Sequence, residues 1–188
     1  MTHVPADAIP VLVLNGSVGV GKTTIGHAIS DVLVSARVPH AFVDRDALCV
    51  SWPQSGRFNE DMANRNLAAV WKNFRAHDAT RLIVAGVLES THDVDALRSA
   101  VPGAAIIVCR LRASAAVREA RLRAREHGVS REWHLARSVE LETILDRVAV
   151  DDFSIENDGR TPVAVAHEVL ARAEWPPMHA AIAGVPRQ

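Results

Sequence analysis

The chain has 188 residues, of which 48% are hydrophobic and 23% charged, and its formal net charge is −1. That is one domain with a full core, and the composition excludes a disordered chain, a fibrous repeat or a strongly basic duplex-binding module. No apolar run approaches the roughly 18 residues of a membrane span, and the two distant cysteines, Cys49 and Cys109, suit a reducing compartment without implying a disulfide framework or a zinc site.

A single domain over residues 1–188 is therefore expected, in a cytoplasmic protein. Val11 to Leu14 is a continuous apolar run, the pattern of a strand buried on both faces. Thr23 to Ser35 reads as a helix, and Ala41 to Val43 as a short strand ending at Asp44. Asn59 suits an N-cap, after which Ala63, Leu67, Val70, Trp71 and Phe74 share one helical stripe. Leu82 to Ala85 is the next strand, closed by Gly86, and Ser90 and Asp93 have capping-box spacing. Ala104 to Leu111 is a further strand. An arginine-rich helix is expected from about Ser114 to His127, stopped at Gly128. Ser130 starts another, whose Leu141, Ile144, Leu145 and Val148 form an apolar face. Phe153 to Ile155 makes a last short strand, and Thr161 with Pro162 opens a final helix. Such alternation predicts an α/β fold, a parallel sheet wrapped by helices. The stretch 176–188 reads as a loosely held tail.

Between the first strand and the first helix lies Gly16-Ser17-Val18-Gly19-Val20-Gly21-Lys22-Thr23, followed by Thr24. It meets GxxxxGK[ST], the P-loop pattern, whose glycines let successive backbone N–H groups point at phosphate oxygens. Lys22 is placed to reach the β- and γ-phosphates of ATP and Thr23 to put its hydroxyl on Mg²⁺, at a helix N-terminus that favours anions. Of the 21 lysines and arginines only Lys22 and Lys72 are lysines, so a lysine in this motif stands out.

The P-loop alone does not separate kinases from GTPases, motors or regulatory ATPases. The strands ending at Gly86 and Arg110 lack the second acid that motors and ATPases carry. The second strand instead closes with Asp44-Arg45-Asp46. This resembles the DxD of small-molecule kinases of the shikimate, gluconate and adenylyl-sulfate kinase type, and the resemblance spans roughly Val11 to Trp175. It implies the three-layer P-loop NTPase fold with five strands in the order 2-3-1-4-5. It also implies Asp44 as a metal-side carboxylate and Asp46 as the acceptor-side base or orienter. One carboxylate suffices to accept a hydroxyl proton in phosphoryl transfer.

In that group a lid follows the fourth strand, here about 118–131. Arg118, Arg121 and Arg125 share a helix face. By resemblance Arg121 borders the adenine and Arg125 clamps the transferring phosphate, with Arg131 a second candidate. The turn from Asn157 to Pro162 occupies the place where the group packs adenine, which makes Pro162 a nucleotide-side residue. The acceptor segment is expected at about 45–66, with Arg57 and Arg65 available for an anionic group and Trp52, Phe58 and Glu89 lining the pocket.

Departures leave the acceptor open. Cys49 stands where adenylyl-sulfate kinases place an arginine and gluconate kinases a histidine, and Ala85-Gly86-Val87 replaces the triple glycine of shikimate kinases. An antibiotic-hydroxyl kinase like chloramphenicol phosphotransferase also fits. The expectation is an ATP- and Mg²⁺-dependent phosphotransferase acting on a small-molecule hydroxyl, a monomer or homodimer. It has no membrane partner, and its near-neutral charge argues against nucleic acid. Two alternatives are a non-catalytic nucleotide-binding switch and a kinase of nucleotides or nucleic-acid ends.

Overall fold

The computed structural model describes residues 8–175 apart from 55 and 57. The expected tail at 176–188 and Arg57 lie outside the described residues. Twelve elements follow in order: β1 (Ile9–Asn15), α1 (Lys22–Ser35), β2 (Ala41–Asp44), a 3₁₀ turn (Arg45–Leu48), α2 (Glu60–Ala76), β3 (Leu82–Ala85), α3 (Thr91–Ala100), β4 (Ala104–Arg112), α4 (Ala115–Arg125), α5 (Gly128–Val148), β5 (Phe153–Glu156) and α6 (Pro162–Arg172). The five strands form one parallel sheet in the order β2-β3-β1-β4-β5, the α/β order expected from the sequence.

Successive strand residues point to opposite faces, so β1 feeds two cores. Leu12 and Leu14 pack with Ile25, Ile29, Val165 and Val169 of α1 and α6. Val11 and Val13 pack with Leu67, Trp71 and Leu97 of α2 and α3. Burial of both faces explains why β1 and β3 are uninterrupted apolar runs. The strand ends Asn15, Asp44 and Ala85 therefore stand together on the carboxyl side of the sheet, with Arg110 of β4 in register with Asn15.

Several boundaries differ from the expected ones. Asn59 occupies the cap position of α2 but makes no capping bond; its amide donates to the Cys49 carbonyl and to Ser51 Oγ, bracing the preceding segment. The expected arginine-rich helix is shorter, with Ser114 Oγ accepting the Val117 N–H at its start. Gly128, at φ +60, opens α5 instead of merely ending α4. The capping box at α3 forms as expected: the Ser90 hydroxyl accepts the Asp93 N–H while Asp93 Oδ2 accepts the Glu89 N–H.

Candidate active site

The loop from Gly16 to Gly21 curls between β1 and α1. Gly16 has φ +138, and a Cβ there would stand 2.6 Å from the Leu111 carbonyl oxygen, so no other residue fits without moving β4. Gly21, at φ +100, is the left-handed residue from which α1 departs. Lys22 lies buried and donates from Nζ to the carbonyls of Gly16 (2.9 Å) and Ser17 (3.1 Å), folded over the loop it belongs to. Burial pulls its pKa below the usual lysine value; Asp46 and Asp44 oppose that shift and Arg125 adds to it. Those four charges share one electrostatic neighbourhood.

Thr23 Oγ1 donates to Asp44 Oδ2 at 2.7 Å, which joins the first turn of α1 to the end of β2. A hydroxyl beside a carboxylate is a pair of hard oxygen donors, the share of a Mg²⁺ shell a protein supplies when phosphates and water complete it. Among the described residues no cluster of three or more His, Cys, Asp and Glu side chains forms a metal cage. Asp44 Oδ1 meanwhile accepts the Asp46 N–H at 3.1 Å and caps the 3₁₀ turn. The turn carries Asp46 away from Asp44 into an exposed position on the wall of a cavity of about 760 Å³. Arg45, between them, is buried and donates to the Val87 carbonyl and to Asn64 Oδ1, both at 3.3 Å.

The cavity runs from Val18 of the P-loop past Asp46, Cys49 and Phe58 to Glu89, Arg125 and Arg137. Of the expected site residues it thus gathers Val18, Asp46, Phe58, Glu89 and Arg125, while Trp52 is exposed and does not line it. Arg65 is exposed on α2 and does not line it, because Ala63 and Leu67 turn the inner face of that helix inward. Arg131 pairs with Glu132 at 3.4 Å and also stands outside the wall. Thr24 is exposed on the first turn of α1, and Pro162 is exposed at the first position of α6.

The arginines of α4 have separate tasks. Arg118 is buried, bonded to the Ala113 carbonyl and Ser138 Oγ, and 3.5 Å from Glu142. Arg121 donates to the Val20 carbonyl at 3.0 Å and the Asn157 carbonyl at 3.4 Å, which sets it against the far end of the P-loop. Arg125 lines the cavity and pairs with Glu126 at 2.9 Å.

A buried polar frame behind the P-loop escapes sequence reading. Asn15 is fully buried; its Oδ1 accepts the N–H groups of Gly16 and Leu88 and its amide donates to Asp151 at 2.9 Å. Ser17 Oγ donates to Glu142 at 2.6 Å, Ser138 Oγ to the Val18 carbonyl at 3.0 Å and Asn157 Nδ2 to the Val20 carbonyl at 2.7 Å. Glu142 also accepts from buried Arg110 at 3.0 Å, and Arg110 reaches Asp146 at 2.8 Å. These bonds satisfy polar groups on the inner side of the loop and fix it to the segment after β3, to α5 and to the turn after β5. The one local signal was polar Asn15 closing an apolar run.

No family model and no curated protein sequence matches the chain. Solved structures match over nearly its whole length. A sugar kinase from Janibacter sp. HTCC2649 is 22% identical, covers 90% of this chain and 96% of its own, and has a TM-score of 0.59. A tunicamycin resistance protein from Deinococcus radiodurans is 23% identical over 87% of this chain and 95% of its own, with a TM-score of 0.59. Shikimate kinase from Acinetobacter baumannii, in complex with shikimate, is 18% identical over 88% and 93%, with a TM-score of 0.56. The chain has the fold of P-loop kinases of small molecules. Among the described residues no helix is long and apolar enough to cross a membrane.

Proposed function

We propose that the chain transfers the γ-phosphoryl group of Mg-ATP to a hydroxyl of a small molecule. The observation that carries this reading is the division of labour between two carboxylates two residues apart. Asp44 is held to Thr23 on the phosphate side, and Asp46 is exposed on the wall of the adjoining cavity. A phosphotransferase needs one acid at the metal and another at the acceptor hydroxyl, whereas a nucleotide switch has no use for the second.

Mg-ATP, when bound, supplies the electrophilic phosphorus and a cation that offsets charge on the transferring group. The backbone from Gly16 to Thr23 cradles the phosphates, and Lys22 leaves its own carbonyl partners for the β- and γ-oxygens. Thr23 and Asp44 hold the metal. Arg121 and Pro162 lie on the nucleotide side, and Thr24 extends the first turn of α1. Asp46 accepts the hydroxyl proton, and Arg125 swings from Glu126 onto the phosphoryl oxygens, a task its planar fork suits. The structural neighbours named as kinases support the class of reaction, and the cavity beside Val18 supports a small acceptor.

The test is an ATP-consumption screen over hydroxyl-bearing metabolites and antibiotics, with Lys22→Ala as blank. Asp46→Asn should hold Mg-ATP affinity within a few-fold and lower acceptor-dependent turnover by roughly 10²–10⁴. Wild-type turnover in that variant would refute the assignment.

A further inference from the structure

The charges of the cavity wall oppose an anionic acceptor. Arg137 is its most deeply placed cation, with its side chain 4% exposed, and it is already bonded to Glu89 and to Glu140. Two carboxylates thus stand against one guanidinium. Arg125, paired with Glu126, is taken by the transferring phosphoryl group in the proposed reaction and so is not the acceptor's partner. Arg45 is flanked in sequence by Asp44 and Asp46 and spends its donors on neutral oxygens. The same wall carries Asp46, Glu60, Glu89 and Asp93. An acid entering here would surrender its hydration to a wall whose described residues carry those four carboxylates against three guanidinium groups, Arg45, Arg125 and Arg137.

What the wall offers instead is apolar. Phe58 and Trp133 meet edge to face with ring centroids 6.4 Å apart, and the Arg137 guanidinium lies 4.9 Å from the Phe58 ring centre. Val87, Ala63 and Leu141 extend that surface. Large apolar side chains are also exposed at the two segments that border the mouth: Val50 (87%) and Trp52 (89%) on one, Val129 (88%) and Trp133 (49%) on the other. Val129 and Trp133 are one helical turn apart on α5, on the same side of the rod. Leaving four such groups in water is costly unless something covers them in use. The cavity volume of about 760 Å³ lies in the range that encloses a drug-sized molecule.

We infer that the acceptor is an uncharged alcohol on a ring-bearing, largely apolar body, and that Glu89 and Glu140 set this class by cancelling Arg137. The inference rests on the reading that this cavity is the acceptor site. The aromatic corner receives the ring, Ser51 and Gln54 meet neutral polar substituents, and the hydroxyl is left beside Asp46.

Equilibrium binding tests it apart from catalysis. The full chain, with and without Mg-ADP, is titrated by calorimetry and ligand-observed NMR with 1-phenyl-1,2-ethanediol as the uncharged aryl probe. Shikimate and gluconate serve as anionic polyols. The aryl diol should bind more tightly than either acid, and Trp133→Ala, at a half-exposed position that leaves the fold intact, should weaken it about tenfold. Glu89→Gln combined with Glu140→Gln should leave the diol bound and let shikimate bind measurably, because Arg137 then has charge to offer. Tighter binding of either acid to the wild type overturns the inference. So does uptake of none of the probes, or an aryl affinity that Trp133→Ala leaves unchanged. Aryl binding without phosphoryl transfer to any alcohol would keep this inference and remove the kinase reading; transfer to gluconate alone would do the reverse.

Discussion

Replacing Glu142 by alanine removes the acceptor that ties α5 to the P-loop and to two buried arginines. The carboxylate takes the Ser17 hydroxyl at 2.6 Å and Arg110 at 3.0 Å and lies 3.5 Å from Arg118. Arg110 and Arg118 are 4% and 8% exposed, so neither regains full hydration when its partner is cut away. Breaking a buried pair from one side costs about 3–5 kcal/mol. Two features lower that figure here: the Glu142 side chain is itself 18% exposed, and Arg110 keeps Asp146 at 2.8 Å. A loss of about 2–3 kcal/mol is expected. At roughly 2–4 °C per kcal/mol for a chain of this size, Tm should fall by roughly 5–10 °C. Urea unfolding and calorimetry measure both quantities. The double variant Glu142→Leu with Arg110→Met should recover part of the loss, because Arg110 no longer stands short of a partner while Arg118 still lacks its carboxylate. A Glu142→Ala variant within about 0.5 kcal/mol of wild type would refute the reasoning.

Mg-ATP should raise the Tm of the wild type by linkage, and Lys22→Ala should abolish most of that rise in a thermal-shift titration. Asp44→Asn should demand more Mg²⁺ for half-maximal ATP turnover, a shift that a Mg²⁺ titration reads directly. Arg125→Ala should lower kcat more than it raises KM, while Arg65→Ala should match wild type in both, since only Arg125 lines the cavity. Burial pushes the Cys109 thiol up to about 12 from an ordinary 9.0. The folded form therefore holds the thiol proton more tightly than the unfolded form does. Its contribution to stability is complete below pH 9 and fades as pH rises toward 12. Alkaline unfolding curves should be shallower for Cys109→Ala, and a thiol reagent at neutral pH should label Cys49 well before Cys109.

The strands and the phosphate loop were legible in the sequence because each has a local signature, whereas the strand order came from the resemblance to small-molecule P-loop kinases. An apolar run marks a strand buried on both faces, and glycine spacing marks a loop that needs left-handed backbone. Asp44 and Asp46 were legible for the same reason, standing at the end of such a run. The frame behind the loop was not. Asn157 reaches Val20 across 137 positions and Ser17 reaches Glu142 across 125, distances at which periodicity carries nothing. The face of α5 shows the cost of reading pattern alone: Leu141 and Leu145 are buried as expected, but Arg137 and Ser138 are buried with them. Arg118 reads as one arginine of a solvated stripe, yet it turns inward because Ala113, Ser138 and Glu142 satisfy it. Arg65 reads as an anion ligand until α2 is seen to turn it away.

Helix α5 touches both the cavity and the P-loop. Trp133, His134, Arg137 and Leu141 face the cavity, while Ser138 and Glu142, within one turn of them, hold the Val18 carbonyl and the Ser17 hydroxyl. Its 21 residues make a single stiff rod roughly 30 Å long. A tilt or roll that tightens the rod on an acceptor must also move the two loop residues it grips. On the proposed function, an acceptor in the cavity and a nucleotide at the loop would change each other's affinity by one and the same factor, because the rod that meets both moves as one body.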